Sequence, residues 1–334
     1  MKTVIACALA CVLMTGVAMA EPFRIIVTSK EAPLVPNSVL HLAQSEGYFE
    51  RAGVDVELIP VEQTPMAVTA LRTGGGEMAN ISVDSLLGLY TGGVTDLKAV
   101  GSTDKAIPYI IAGRADLTLE TMAGRKFGVG RPNSLDHTLS WTVLQYLGAK
   151  PDKIEFVPLG QPNVRGRALA QGRIDATTMS IGVFTVMPDR KDLKILVDVD
   201  TYFSAAPIVS KVNVVPRSVI AERADELDAV LEALTMAARD YATDPGKWVD
   251  AMTRARPDTG RDTLEELAKI YAGSWTVNGG LQRKEMDFTQ VWLYRTEKYD
   301  NRDLVLPGAW GDFAPVDRVL KKIGISDKGD AVSR

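Results

Sequence analysis

Hydrophobic and polar positions follow a βα rhythm from residue 23 to about 91, and the same rhythm restarts at residue 126. An apolar run at 23–28 predicts a buried strand, followed by a polar loop to Pro36. Residues 38–46 carry helical spacing and stop at Gly47, and 54–60 read as a strand. A helix over 65–73 ends at Gly74-Gly75-Gly76, and a strand at 78–82 precedes a helix from about Asp84. The second unit predicts strand 126–130, helix 134–147, strand 154–158, helix 163–171 and strand 174–180. This order predicts an α/β fold, mostly parallel sheets with helices on both faces. Two further apolar stretches, 107–112 and 206–210, leave the two units and are expected to be paired hinge strands between lobes. Beyond Ser218 the spacing is helical, over 219–243, 263–273, 284–298 and 316–323, with Asp244-Pro245-Gly246 closing the first of these. These helices are expected to return to the first lobe. The polar tail 326–334 is expected to fray.

The two units are copies. Pro36-Asn37-Ser38-Val39-Leu40-His41 recurs as Pro132-Asn133-Ser134-Leu135-Asp136-His137, and these hexapeptides hold both histidines of the chain. One given histidine has this context by chance with a probability on the order of 10⁻⁴. Residues 56–82 also align without a gap on 154–180, repeating Glu57, Pro60, Gln63, Ala70, Leu71, Gly74 and Ser82 as Glu155, Pro158, Gln161, Ala168, Leu169, Gly172 and Ser180. The offset is 98 there and 96 in the hexapeptides, placing a two-residue insertion near 148–152. Two facing copies of one α/β unit predict a two-lobed ligand trap. Its parts are a first lobe over 21–112, a second over 113–205, and a return to the first over 206–334.

Composition narrows the setting. Lys2, an apolar run over 4–17 and Ala18-Met19-Ala20 form the pattern of a cleavable export signal, with cleavage after Ala20. The apolar run is short for a membrane span, and Cys7 and Cys11 lie too early for a lipidation site. The expected mature chain therefore carries no cysteine, so no disulfide and no thiolate. Its net charge moves from −4 to −5 with the loss of Lys2, and such a surface offers no footprint for nucleic acid or anionic lipid. A secreted, periplasmic monomer is expected.

The chemistry concentrates at helix starts. Asn37 or Ser38, and Asn133 or Ser134, are helix caps that place His41 and His137 in the first turn, where exposed N–H groups and the helix dipole favour an anion. In a parallel sheet these starts lie at the carboxyl ends of strands, where open α/β sheets bind ligands. The two histidines, one from each lobe, are expected to meet one ligand as neutral donors only when the cleft closes. A plainer reading, in which Asn and Ser only cap and the imidazoles pack locally, stands beside it. Ser29 with Thr28 and Lys30, Asn80 with Ser82 and Asp84, Gln161 with Asn163 and Arg165, and Thr178 with Ser180 lie on other strand-end loops expected to converge there. Arg131, after Gly128-Val129-Gly130, is the best single partner for an anion, since a guanidinium clamps a carboxylate or sulfonate with two bonds. Trp141, Trp275 and Trp292 sit in helical contexts that favour core packing, and Tyr109 and Tyr202 flank the hinge segments. No phosphate loop, nucleophile elbow or His-Glu-x-x-His motif occurs. His41, His137 and Asp136 are a minor option for a metal, and no catalytic residue, cofactor or metal is assigned.

Glu46-Gly47-Tyr48-Phe49-Glu50-Arg51-Ala52-Gly53-Val54-Asp55-Val56-Glu57 resembles the "G-Y-F-x-x-x-G-[LV]-x-V" stretch of periplasmic substrate-binding proteins of the nitrate/sulfonate/taurine type, which have relatives that bind thiamine-precursor pyrimidines. Ala70-Leu71 to Gly74, the "D-L…G-x-K" entry at 116–126, and Gly172-Arg173-Ile174-Asp175-Ala176 fit the same pattern. The resemblance spans about 23–210. It implies a type II, two-hinge binding fold that delivers solute to an ABC permease, with ligand contacts from the loop after the first strand, from 80–84 and from 134–137. The expected ligand is a small organic anion, a carboxylate or sulfonate with or without an aromatic ring. Two other readings stay open. One is a periplasmic sensor subunit. The other is pyrimidine thiamine-precursor binding or synthesis, which in the synthases that resemble this family uses a cysteine-rich iron motif absent from the expected mature chain.

Overall fold

The computed structural model of the chain describes residues 21–104, 108–294, 296, 299, 302–330 and 332. The export signal expected at 1–20 lies outside the described residues, as do Ile107 and residues 331, 333 and 334 of the tail. Lobe one opens with β1 (Phe23–Val27), α1 (Val39–Ser45), α2 (Tyr48–Ala52), β2 (Val56–Pro60), α3 (Thr64–Arg72), β3 (Met78–Ser82), α4 (Val83–Thr91) and β4 (Leu97–Gly101). The chain then crosses to β5 (Tyr109–Arg114), β6 (Lys126–Val129), α5 (Leu135–Tyr146), β7 (Glu155–Pro158), α6 (Pro162–Ala170), β8 (Ala176–Ser180), α7 (Ile181–Thr185), β9 (Leu193–Val197) and α8 (Val199–Ala205). It returns through β10 (Lys211–Pro216) to α9 (Arg217–Glu222), α10 (Ala224–Thr243), α11 (Pro245–Ala255), α12 (Arg261–Ile270), α13 (Arg283–Leu293), α14 (Pro307–Trp310) and α15 (Ala314–Ile323).

Two five-stranded sheets result, ordered β2-β1-β3-β10-β4 and β7-β6-β8-β5-β9. In each, four strands run in one direction and a single antiparallel strand is inserted between the third and the edge strand. That inserted strand is the one on which the chain crosses between sheets, so each lobe is completed by a crossing. The copies agree in detail. Lys211 pairs with Ser82 as Tyr109 pairs with Ser180, and β10 and β5 carry a register irregularity at the same place, Asn213/Val214 and Ile111/Ala112.

Three expectations need correction. Residues 206–210 are not a strand: Ile208 and Val209 are fully buried in an unpaired link, Val209 N donates to Thr289 Oγ1 at 2.8 Å, and the strand begins at Lys211. The helix expected over 219–243 is broken at Arg223, whose φ of −126° and ψ of 36° leave the helical region. Trp275 and Trp292 are buried as expected, but Trp141 is 37% exposed and stacks on Phe156, at 5.8 Å between centroids, at the surface of lobe two. The C-terminal helices do cover lobe one, α10 packing on α1, α2 and α15. They also reach lobe two, where Trp292 Nε1 donates to Thr142 Oγ1 at 2.8 Å. Among the described residues no helix is long and apolar enough to cross a membrane.

Candidate functional site

A cavity of about 980 Å³ separates the lobes. Its walls are the loops that leave the carboxyl ends of the parallel strands in both sheets, together with the first residues of the crossing strands, Tyr109 and Lys211. This is where an open α/β sheet exposes loop donors and helix starts to a ligand. Of the residues singled out by sequence, Ser29, Asn37, Ser82, Arg131 and Ser134 line it, as do Thr28, Lys30, Asp84, Tyr109, Gln161, Asn163, Arg165 and Ser180. Ser38, His41, Asn80, Asn133, His137, Thr178 and Tyr202 are not among the lining residues.

The hexapeptides are alike in sequence and unlike in contacts. In lobe one, Asn37 enters a buried amide cluster. Its Nδ2 donates to Asn80 Oδ1 at 3.1 Å, its Oδ1 accepts from Thr103 Oγ1, and Asn80 Nδ2 donates to Asn213 Oδ1 at 2.8 Å. Ser38 is fully buried and accepts from Trp248 Nε1 at 3.0 Å. In lobe two, Asn133 is exposed with φ of 55°, and Ser134 Oγ donates to Asp136 Oδ1 at 2.5 Å. Asp136 also accepts from Gly130 N at 2.7 Å and sits 3.4 Å from the Arg165 guanidinium. The anion at the start of α5 is therefore the protein's own carboxylate, placed in the first turn where the helix dipole stabilises it. Arg165, the cation beneath it, also donates to Thr177 Oγ1 at 3.1 Å, to the Thr178 carbonyl at 2.9 Å and to the Gly160 carbonyl. It ties together the ends of β6, β7 and β8.

The expected histidine pair is not formed. The His41 ring lies 3.2 Å from the Ser29 carbonyl through Nε2. His137 Nδ1 accepts from Asn133 N at 3.0 Å, and its ring packs edge-on against Phe156 at 4.6 Å. Both rings are half-buried, and burial lowers both pKa values below 6.5. Each imidazole serves its own loop, the plainer of the two sequence readings.

The cleft has instead a cation that the sequence reading passed over. Lys211, half-buried at the start of β10, donates from Nζ to Thr28 Oγ1 at 2.7 Å and has no carboxylate in ion-pair range among the described residues. Burial lowers its pKa, and the nearby Asp104 carboxylate pulls the other way. From the opposite lobe, Arg131 reaches the cavity exposed and without an ion pair among the described residues. Among the described residues no three His, Cys, Asp or Glu side chains gather as a metal site.

Residues 37–247 match the protein family described as NMT1/THI5 like. The chain belongs to that family. Solved structures share its fold. The ligand-binding component of an ABC-type import system from Staphylococcus aureus, with zinc bound, superposes with a TM-score of 0.72 at 16% identity, covering 90% of this chain and 99% of that one. The periplasmic aliphatic sulphonate binding protein SsuA of Escherichia coli gives 0.69 at 14% identity, over 87% and 92%. The alkanesulfonate-binding protein SsuA of Xanthomonas axonopodis pv. citri, bound to MOPS, gives 0.69 at 16%, over 88% and 100%. At such identities the likeness establishes the periplasmic-binding-protein fold. No curated protein matches the chain in sequence.

In this family member, then, the cleft keeps only part of the set its repeats point to, Asn37, Ser82 and Ser134 among it, and adds Lys211. Lys211 lies outside both repeated segments, in a stretch whose apolar neighbours read as core. The signal that marks it is positional: it stands opposite Ser82 as Tyr109 stands opposite Ser180. That equivalence becomes visible only once the crossing strands are paired.

Proposed function

We propose that the chain is the periplasmic solute-binding component of an ABC importer, exported by residues 1–20 and capturing a small organic anion, a carboxylate or sulfonate, between its lobes. The fold and the cavity between two sheets support the binding role. The observation that carries the ligand class is Lys211, an ammonium on the cavity wall that donates to a neutral hydroxyl and, among the described residues, pairs with no carboxylate. Arg131 faces the same space from the other lobe. An anion held by both would be bound better in the closed than in the open form, which is how a ligand shifts such an equilibrium. Charge-assisted hydrogen bonds contribute about 1.5–3 kcal/mol each, so a few of them, less the cost of closure, approach the roughly −8 kcal/mol of micromolar binding.

A thermal-shift screen of small anions, amines and neutral sugars, followed by calorimetry, tests this. Carboxylates or sulfonates are expected to raise the melting temperature. Lys211→Met is expected to weaken binding of the best anion by about tenfold or more, the loss of one such bond. Stabilisation by amines or sugars alone would overturn the ligand class.

A further inference from the structure

The polar tail, expected to fray, is anchored through Asp330, which is 2% exposed. Its carboxylate accepts from Asn278 N at 3.0 Å through Oδ1 and from Gly280 N at 2.9 Å through Oδ2, and its own carbonyl accepts from Asn278 Nδ2 at 2.8 Å. Gly279 and Gly280 both have positive φ, so the turn offers a concavity of backbone donors of the kind that binds anions, and the protein fills it itself. The same turn seats on the crossing between lobes. Ser102 N donates to the Gly279 carbonyl at 2.9 Å, and a Cβ on Gly280 would collide with the Ser102 carbonyl. Ser102 in turn donates from Oγ to the Lys211 carbonyl at 2.7 Å, while Lys211 Nζ donates to Thr28 Oγ1 at 2.7 Å. The cleft cation is thus held at both ends, and the brace behind its backbone leads to the Asp330 carboxylate.

We propose that Asp330 is a positioning residue for anion capture: through the turn at 278–280 it fixes Ser102, and through Ser102 it holds the start of β10 where the Lys211 ammonium meets the ligand. This rests on the anion-binding reading above and adds what steadies its principal cation. Without the carboxylate, two buried N–H groups lose their acceptor, and the strain is relieved only if the turn opens toward water. Ser102 is then released, and the ligand must order the crossing at the moment it binds. Affinity falls by that ordering cost although no group that lines the cavity has changed.

Calorimetry on the mature chain with propionate, benzoate, ethanesulfonate and benzenesulfonate, carried forward with the tightest binder, tests this, alongside amide exchange at Ser102 without ligand. Asp330→Asn keeps the shape but sets an amide N–H against one of the two backbone donors. It is expected to weaken binding by about fivefold and to speed exchange at Ser102. Asp330→Ala, which strands both donors, should weaken binding further. Ser102→Ala should resemble Asp330→Asn, and the double variant should bind no more than about twofold worse than the weaker single one, because both act along one line. Glu77 supplies the control, a buried carboxylate that also accepts a backbone N–H, from Arg24 at 2.6 Å, but at the amino end of β3 and away from the cleft. Glu77→Gln should lower the melting temperature yet hold affinity within about twofold. Wild-type affinity in both Asp330 variants, additive losses in the double variant, or an equal loss in Glu77→Gln overturns the role of Asp330 and leaves anion capture standing. If none of the four probes binds the wild type, anion capture itself fails, and this inference with it.

Discussion

Gly182, at the start of α7 in lobe two, lies against the carbonyl of Leu34 in lobe one so closely that a Cβ on Gly182 would fall 2.1 Å from Leu34 O. That oxygen has no room to retreat, because it accepts a buried hydrogen bond from Tyr271 OH at 2.7 Å. Leu34 belongs to the loop between β1 and the first hexapeptide. Its counterpart after β6 is shorter: the paired strands Ile25↔Met78 and Phe127↔Ala176 set an offset of 102, against 96 for the hexapeptides. The six additional residues in lobe one make the arm that touches lobe two. At the other rim, the Gln161 side chain donates to the Glu62 carbonyl at 3.0 Å in an exposed position.

Gly182→Ala is therefore expected to destabilise the protein by about 1–3 kcal/mol, the usual cost of overpacking a close contact, and to lower the melting temperature by a few degrees. Gly308→Ala, where a Cβ meets nothing within 4 Å, should leave it unchanged. Wild-type melting of Gly182→Ala would show that the lobes do not press together here.

Much of the fold was legible because each copy alternates strand and helix with clear stops. The strand at 78–82 matches β3 residue for residue, and the helix over 134–147 contains α5 with one residue to spare at each end. What escaped notice follows from physics that periodicity does not record. The link 206–210 is as apolar as a strand because it is buried, yet it joins no ladder, and Val209 N finds the Thr289 side chain. Arg223 interrupts a helix without glycine or proline, since its guanidinium is held by Glu77 and Glu226. The site was half legible. Most of the strand-end loop donors surround the cavity, although Asn80 and Thr178 do not line it, and repetition of the hexapeptide does not bring repeated contacts. The two copies have instead diverged into an amide cluster around Asn37 and an ion pair around Asp136.

The histidines are expected to affect stability and not ligand affinity. Both have folded-state pKa values lowered by burial from the 6.5 of an unperturbed imidazole. His137 accepts at Nδ1 from a backbone N–H, and a proton on that nitrogen would set two donors against each other. Between the lowered folded values and about 6.5, the unfolded chain binds more protons, so stability is lost as pH falls through that window and is fully present above it. Urea titrations at about pH 7.5 and about pH 5.5 should show a smaller acid-side loss in the double variant His41→Gln, His137→Gln than in the wild type. Anion affinity of the variant at neutral pH should stay within about twofold, because neither ring lines the cavity. A large affinity loss in either single variant would restore the facing-pair reading.

Arg165 is expected to be the most sensitive charged position in lobe two. Its side chain is 4% exposed, and its donors meet the Gly160 and Thr178 carbonyls, Thr177 Oγ1 and the Asp136 carboxylate. Removing one partner of a buried ion pair strands the other, at a cost of about 3–5 kcal/mol. Arg165→Met keeps the length of the side chain and deletes every donor, so it should lose stability on that scale, measured by chemical denaturation. Arg165→Lys keeps the charge but not the planar fork that spans three loops, and is expected to recover only part of the loss. The equivalent position in lobe one is Ala67, fully buried and apolar, so the dependence belongs to lobe two alone. A near-neutral Arg165→Met would mean that the loops at the ends of β6, β7 and β8 are held by their backbone contacts, and that the guanidinium is free to serve a ligand.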